Sequence, residues 1–113
     1  MAAFGRASVV LVEFPFSDLS DKKIRPAVVL AKANRQDWFL CQITSNAGID
    51  DKAIEIKDTD FVTGSLRQRS FARPDKIFTG HESLIDRRVG ILSDKATSGI
   101  VEAVIAILKT IVN

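Results

Sequence analysis

The sequence holds only one cysteine and one histidine among its 113 residues, and this scarcity excludes several kinds of chemistry. Cys41 alone cannot form an internal disulfide or a cysteine-built metal cage, which favours a reducing compartment, and we expect the cytoplasm. His81 cannot supply two-histidine ribonuclease chemistry, and it lies outside any nucleophile-elbow motif. We therefore expect His81 to be a surface residue and not a catalyst.

Cofactor and membrane signals are scarce as well. No glycine-rich loop that could cradle a phosphate is present. Asp50, Asp51, Asp58 and Asp60 fall in predicted turns, where aspartate is common for conformational reasons, so we expect no metal site and no cofactor. Glu102 and Lys109 interrupt the apolar stretch over residues 100–112, which is too short for a membrane span, and we expect neither a signal peptide nor a membrane partner.

The composition is that of an ordinary globular protein. Hydrophobic residues make up 46% and charged residues 27%, with a formal net charge of +2. We expect one domain over residues 1–113 that can bury a single core. The slight excess of positive charge permits a nucleic-acid partner without requiring one.

Short runs rich in β-branched and aromatic residues predict a mainly β fold. Strands are predicted over residues 9–14, 27–31, 38–44, 53–57, 70–75 and 77–79, with Pro15 ending the first and Pro74 breaking the fifth. Residues 82–88 are predicted to form one or two helical turns. Helical spacing of apolar residues predicts an amphipathic helix over 94–112, with Ser93 as N-cap and Gly99 weakening its first turns. Several short strands followed by one helix indicate a small, strongly curved antiparallel barrel.

Arginines that precede proline mark the ends of two predicted strands. Proline disfavours a helical residue before it, so Arg25 and Arg73 should be extended at strand ends. Thr44 ends another strand, on the face whose side chains become polar. Further basic, hydroxyl and aromatic side chains occur nearby, namely Lys22, Lys23, Arg67, Arg69, Lys76, Ser45, Ser70 and Phe16. Such a mixture can hold a phosphodiester, with cations on its oxygens and an aromatic surface for a base.

Five motifs in order resemble the MazF/PemK family of toxins from type II toxin–antitoxin systems. They are residues 9–16 (VVLVEFPF), 25–30 (RPAVVL), 43–45 (ITS), 70–77 (SFARPDKI) and 89–93 (VGILS). The resemblance covers nearly the whole chain. It implies an SH3-like β-barrel, a homodimer, and a metal-independent, sequence-specific endoribonuclease that cuts single-stranded RNA and is neutralised by an acidic antitoxin.

The resemblance also implies roles for individual residues. Arg25 and Thr44 match the two family positions that carry catalysis, while Arg73 and Asp75 match positions that in some relatives bind or cleave RNA. Together with Phe16, Lys23, Ser45 and Ser70, Arg73 and Asp75 are the predicted RNA-binding residues. The expected reaction is attack by the 2′-hydroxyl of the RNA, giving a 2′,3′-cyclic phosphate and a free 5′-hydroxyl.

Two other functions compete with this one. Many relatives begin the first strand with Gly-Asp where this chain has Ala7-Ser8, which supports a catalytically weakened barrel that still binds RNA or an antitoxin. A second alternative is a DNA-gyrase poison of the CcdB type, whose fold is related. The Arg25-Pro26 and Thr44-Ser45 motifs argue against it, because a poison that binds a protein needs no phosphate clamp.

Overall fold

The computed structural model describes residues 4–15, 22–48 and 50–110, which form one antiparallel sheet and a C-terminal helix. The elements are β1 (Ser8–Pro15), β2 (Lys22–Asn34), β3 (Asp37–Thr44), β4 (Ile54–Ile56), β5 (Phe61–Gly64), β6 (Ser70–His81), β7 (Ile85–Leu92) and α1 (Asp94–Lys109). The seven strands lie in the order β4-β6-β3-β2-β1-β7-β5. The predicted mainly β fold is confirmed, but pairing among the described residues leaves the sheet open at β4 and β5, so it is barrel-like and not closed.

Strand β2 is the centre of this sheet, because it pairs with β1 on one side and β3 on the other. It spans 13 residues and is much longer than the predicted strand over 27–31. Its first residues, Lys22 and Lys23, lack an apolar pattern, which is why the predicted strand begins only at residue 27. They are extended because β1 continues to Pro15 and offers them partners: Pro15 faces Lys22 and Phe14 faces Lys23. Sheet pairing therefore overrides local composition.

Both faces of the central strands are buried. The face that packs on α1 has a core of Val9, Val28, Cys41, Ile43, Ile56, Ala72, Leu92 and Ile100. The opposite face buries Val10, Val12, Ala27, Val29, Trp38 and Leu40. This double burial explains why residues 27–29 are continuously apolar and do not alternate.

Cys41 lies in the first of these cores and is fully buried. Its thiol donates a hydrogen bond to the backbone carbonyl of Arg73, at 3.2 Å between Sγ and O. Burial raises the pKa of Cys41 to about 12, because the thiolate would lose its hydration. Cys41 is therefore an inert core residue, in agreement with its place in a predicted strand.

Strand β6 continues past Pro74, so the predicted break there is wrong. Ile43 of β3 faces Ala72, whereas Cys41 faces Ile77, with a bulge between the two pairs. Gln42 thus lies opposite a longer stretch of β6 that contains Pro74. Because a residue in a bulge need not donate to the ladder, proline is tolerated without ending the strand.

The segment before the helix was also predicted incorrectly. Residues 82–88 contain only a short 3₁₀ helix, Glu82–Leu84, and then begin β7. Three exposed charged residues, 86–88, hide the alternation of that strand. Its partner β5 was missed too, and Gly64 of β5 faces Gly90 of β7. Gly64 has φ of +73°, and a Cβ there would collide with the Val89 carbonyl, so only glycine fits.

Helix α1 confirms the predicted amphipathic helix but ends at Lys109, and residues 111–112 of the prediction lie outside the described residues. The Ser93 hydroxyl accepts a hydrogen bond from the Ala96 amide at 3.1 Å, as expected of an N-cap. The helix is regular through Gly99, whereas Ile100 and Val104 are buried against the sheet. Among the described residues, no helix is long and apolar enough to cross a membrane.

The Ala7-Ser8 departure leaves a defined turn before β1. Ala7 has φ of +76°, a left-handed conformation that glycine adopts without strain. The buried Ser8 hydroxyl accepts a hydrogen bond from the Gly5 amide at 3.0 Å. This chain therefore makes a left-handed turn without glycine and uses a serine hydroxyl as the acceptor that holds it.

Candidate functional site

Arg25 extends from β2 at the edge of the core. It lies opposite Val12 of β1, and the following Pro26 lies opposite Leu11. The Arg25 side chain is exposed, and no hydrogen bond or ion pair joins it to another described residue. A rigid strand thus presents to solvent a guanidinium that no described carboxylate neutralises, which suits it to bind an anion.

Thr44 is the last residue of β3, and its hydroxyl is held by the loop that follows. Thr44 Oγ1 accepts a hydrogen bond from the Asn46 amide and donates one to the Asn46 carbonyl, both at 3.1 Å. The Asn46 side chain in turn accepts from the Gly48 amide at 3.0 Å. These bonds fix the position of the Thr44 oxygen before any ligand arrives.

The strand register brings Arg25 and Thr44 together. The last paired residues of β2 and β3 are Ala27 and Gln42, and extending this register by two residues places Arg25 opposite Thr44 on the same face. Both residues line one pocket of about 290 Å³. The rest of its lining is Leu11, Ile24, Pro26, Ile43, Ser45, Leu66, Arg67, Gln68 and Ser70. A guanidinium, a hydroxyl and a second arginine therefore share a cavity that can admit a phosphodiester.

Only some of the other predicted RNA-binding residues lie at the Arg25 pocket and are exposed there. Ser45 is exposed at the same pocket, and Lys23 is exposed two residues before Arg25, so the alternation of β2 puts them on one face. Ser70 also lines the pocket, but it is buried and its hydroxyl donates to the Gln68 carbonyl at 2.8 Å. Ser70 therefore holds the loop before β6. Phe16 lies outside the described residues.

Arg73 and Asp75 line a different cavity, of about 500 Å³, between β6 and the loop after Thr44. Arg73 Nε donates to Asp50 Oδ2 at 2.8 Å, and the Asp50 side chain is only 5% exposed. This hydrogen bond from Arg73 lowers the pKa of Asp50. Arg73 thus ties β6 to the loop that fixes Thr44, next to the Arg25 pocket and not inside it.

Four residues outside the predicted catalytic and RNA-binding set also border the site. Arg67 and Gln68 line the Arg25 pocket. Phe71 of β6 is paired directly with Thr44, and Arg69 lies over the Phe71 ring. Arg67 and Arg69 stood out only as basic residues in a loop, because the pairing that brings them near Thr44 leaves no local sequence pattern.

His81 and the acidic residues do not contribute a further site. His81 is exposed, and its Nδ1 accepts from the Ser83 amide at 3.0 Å, which caps the short 3₁₀ helix. Within the described parts of the chain, no three histidine, cysteine or acidic side chains come together as metal ligands would.

Comparison with known proteins identifies a family. The model for PemK-like, MazF-like toxins of type II toxin–antitoxin systems matches residues 5–108. No curated protein sequence matches the chain.

Solved structures share the fold at low sequence identity. The Mycobacterium tuberculosis toxin MazF-mt6 superposes with a TM-score of 0.70 at 16% identity, over 93% of this chain and 99% of that one. A MazE–MazF structure from Deinococcus radiodurans gives 0.76 at 14% identity, over 98% and 100% of the two chains. A mycobacterial endoribonuclease in complex with its cognate antitoxin gives 0.72 at 14% identity, over 98% and 100%.

Proposed function

Because this chain belongs to the family of PemK-like, MazF-like toxins of type II toxin–antitoxin systems, we propose that it is an endoribonuclease that cuts single-stranded RNA at specific sequences. The observation that carries this proposal is the shared pocket of Arg25 and Thr44. Two mycobacterial proteins of the same fold are described as endoribonucleases, which supports it. Cellular RNA as the substrate places the reaction in the cytoplasm.

The proposed reaction uses the nucleophile that RNA itself carries. The 2′-hydroxyl attacks the adjacent phosphorus, the P–O2′ bond forms, and the P–O5′ bond breaks. The proton lost by the 2′-oxygen is balanced by one gained at the leaving 5′-oxygen, which gives a 2′,3′-cyclic phosphate and a 5′-hydroxyl. Because the attack is intramolecular, holding the 2′-oxygen in line with the leaving oxygen supplies much of the rate enhancement.

Arg25 and Thr44 stabilise the charge that grows on the phosphate. The Arg25 guanidinium donates charge-assisted hydrogen bonds to the non-bridging oxygens. The Thr44 hydroxyl adds another donor by exchanging its bond to the Asn46 carbonyl for one to the phosphate, while the Asn46 amide keeps the oxygen in place. Proton transfer is a poor role for Arg25, because a guanidinium offers several N–H donors and no acceptor for a proton.

A catalytically weakened barrel is the alternative that the Ala7-Ser8 departure supports. The left-handed φ of Ala7 and the hydrogen bond accepted by Ser8 give this chain an ordered turn at that point. The departure therefore gives no structural reason for a displaced Arg25 or Thr44, and an active enzyme is the better proposal.

An acidic antitoxin is the proposed regulator. The D. radiodurans relative is known as a MazE–MazF complex, and a mycobacterial relative is known with its cognate antitoxin. Lys23, Arg25 and Arg67 form a basic strip along which an extended acidic peptide can lie. We also expect residues 17–23 to lie under this peptide; of these, residues 17–21 are outside the described residues, and Lys22 and Lys23 begin β2. A small acidic protein that binds this chain and restores growth on co-expression is the expected result, and its absence would contradict the proposal.

A homodimer would cover apolar side chains that the single chain leaves exposed. Phe39 is 45% exposed and lies diagonally across β3 and β6 from Ile77, which is 40% exposed, and Leu108 of α1 is 71% exposed. A two-fold contact is the usual way to bury such residues. Light scattering at micromolar concentration should show a dimer, and a purely monomeric protein would refute this part of the proposal.

The experiment that tests the reaction replaces a single ribose. With the cleavage site mapped on a long RNA, the ribose on the 5′ side of the cut is changed to deoxyribose in a short oligonucleotide. That oligonucleotide should bind as well as the all-ribose control and remain uncut. The control should be cut in EDTA to a cyclic phosphate and a 5′-hydroxyl, whereas metal-activated water would normally leave a 5′-phosphate. Cutting of the deoxy oligonucleotide, or dependence on a metal, would overturn the mechanism.

A further inference from the structure

A row of side chains continues from Thr44 toward the sheet edge and has no role in the proposed cleavage step. Thr44 of β3 is paired with Phe71 of β6, and Phe71 is paired with Glu55 of β4. Residues directly opposite each other in an antiparallel sheet project from the same face. Phe71 therefore stands beside the Thr44 hydroxyl, and Glu55 beyond it.

Arg69 completes this row and is held in one orientation. Its Nε donates to Glu55 Oε2 at 2.9 Å, and Nη2 donates to Oε1 at 3.5 Å. The central carbon of its guanidinium is 5.2 Å from the centroid of the Phe71 ring. In spite of these contacts, the Arg69 side chain is 73% exposed. The planar guanidinium is thus held by the Phe71 ring on one face and by the Glu55 carboxylate at its edge, and its outer face is open to solvent.

The charges of Arg69 and Glu55 indicate which kind of ligand this row of side chains can bind. Glu55 neutralises Arg69, and the hydrogen bond from Arg69 lowers the pKa of Glu55, so the pair is ionised and carries no net charge near neutral pH. An anion such as a phosphate or an acidic peptide gains little from a compensated cation, whereas Arg25 has no described carboxylate partner. What Arg69 offers is its flat face. Guanidinium planes and aromatic rings are the surfaces on which unstacked RNA bases stack.

We propose that Arg69, supported by Phe71 and Glu55, is the stacking platform for a nucleobase next to the scissile phosphate. This proposal rests on the proposed function, because it takes the phosphate to lie between Arg25 and Thr44. Glu55 is two strands away from Thr44, about 10 Å across the sheet, which is the range of a neighbouring nucleotide. The platform makes cleavage depend on the base at that position and so contributes to sequence preference.

The test combines abasic RNA with two variants. Single-stranded oligonucleotides that contain the mapped cleavage site are made with one abasic ribose at each position around the cut. For the unmodified protein, one abasic position should lower kcat/KM about tenfold, because the base that stacks on the side chain is missing. Arg69→Lys keeps the charge that faces Glu55 but removes the plane. It should lower kcat/KM on intact RNA by a similar factor and lose all sensitivity to that abasic position. Phe71→Leu, which keeps apolar bulk, should give the same pattern.

Arg35→Lys is the matched control, because Arg35 is an exposed arginine in the turn that follows β2, at the far end of that strand from Arg25. It should keep the unmodified abasic profile. If abasic positions affect Arg69→Lys as they affect the unmodified protein, the platform is refuted while cleavage stands. The same refutation follows if Arg69→Lys weakens only an acidic antitoxin.

Binding separates this inference from the proposed function. Fluorescence anisotropy with the same oligonucleotides measures the abasic effect without cleavage. The unmodified protein could cut no RNA and still bind one abasic oligonucleotide less tightly than the intact one. If this difference disappears in Arg69→Lys, the proposed nuclease activity is refuted and the platform is supported. Affinity that is independent of every base near the cut would refute the platform.

Discussion

Replacing Thr44 with valine tests the role of its hydroxyl most directly, because valine keeps the shape of the side chain. Two effects must be separated: loss of stability and loss of a donor to the phosphate. The hydroxyl makes two exposed hydrogen bonds to Asn46, each worth about 1 kcal/mol or less in net stability. The variant therefore loses at most about 2 kcal/mol of folding free energy. Domains of this kind have about 5–15 kcal/mol, so more than about 99% of the variant remains folded.

Loss of the donor has a far larger effect on cleavage. Removing one preorganised hydrogen bond to a developing oxyanion lowers the rate about 100- to 1000-fold. Since unfolding removes about 1% of the enzyme, a hundredfold loss of activity must come from the reacting centre. Thr44→Ser keeps the hydroxyl and should stay within about tenfold of the unmodified rate.

The assay is single-turnover cleavage of an end-labelled RNA in EDTA with enzyme in excess, together with urea unfolding of each variant. Thr63→Val is the matched control, because Thr63 is an exposed threonine on β5 and makes no hydrogen bond through its side chain to another described residue. It should cleave at the unmodified rate. A Thr44→Val protein that cleaves within threefold of that rate would refute our assignment, as would equal losses in the serine and valine variants.

The remaining predictions concern Arg25, Asp50, Ser8 and Cys41. Arg25→Ala should lower cleavage by about 100- to 1000-fold and leave the melting temperature unchanged, since the side chain is exposed; cleavage at the unmodified rate would contradict its role. The bond from Arg73 lowers the pKa of Asp50, so its stabilisation is present above the ordinary value near 4 and is lost as pH falls further. Urea unfolding should therefore show Asp50→Asn to be less stable than the unmodified protein at pH 7, with the gap narrowing as the pH falls below about 4; a gap that is unchanged on acidification would exclude this account. Ser8→Ala should lose about 1 kcal/mol because the Gly5 amide loses its acceptor, and an unchanged urea midpoint would contradict this. The raised pKa of Cys41 should make stability fall as pH rises above about 9, and Cys41→Ala should flatten this decline.

The parts of the fold that the sequence predicted are those with strong local patterns. The continuous apolar run after Arg25 marks the buried middle of β2 but not its ends, whereas the helical spacing after Ser93 specifies α1 within a few residues. Strand β7 was missed because Asp86, Arg87 and Arg88 interrupt its alternation at a place where the sheet faces solvent. The break expected at Pro74 was wrong because a bulge removes the need for its missing amide, and a bulge depends on the partner strand.

The residues of the candidate site also differ in whether the sequence could predict them. Arg25 and Thr44 could be selected because each lies at the end of a predicted strand and matches a family motif, although Arg25 is in fact the fourth residue of β2. The ion pair of Arg73 with Asp50 could not be foreseen, since it joins residues 23 positions apart through the loop after Thr44. The row of Thr44, Phe71 and Glu55 could not be foreseen either, because it exists only through strand register. Sequence motifs mark single residues, whereas their neighbours depend on pairing between distant segments.

The buried thiol of Cys41 gives the molecule an intrinsic reporter of its own opening. As the only cysteine in the chain, it is modified at one position, and no label need be engineered. In the folded protein it is protonated and inaccessible, so a thiol reagent reacts only after β3 and β6 separate and the thiol regains its ordinary acidity. When reclosing is faster than the chemical step, the labelling rate measures the free energy of that opening. A partner that binds only the closed form slows labelling by the factor 1 + [L]/Kd, so the affinity of a regulator can be measured on the unmodified protein without RNA or living cells.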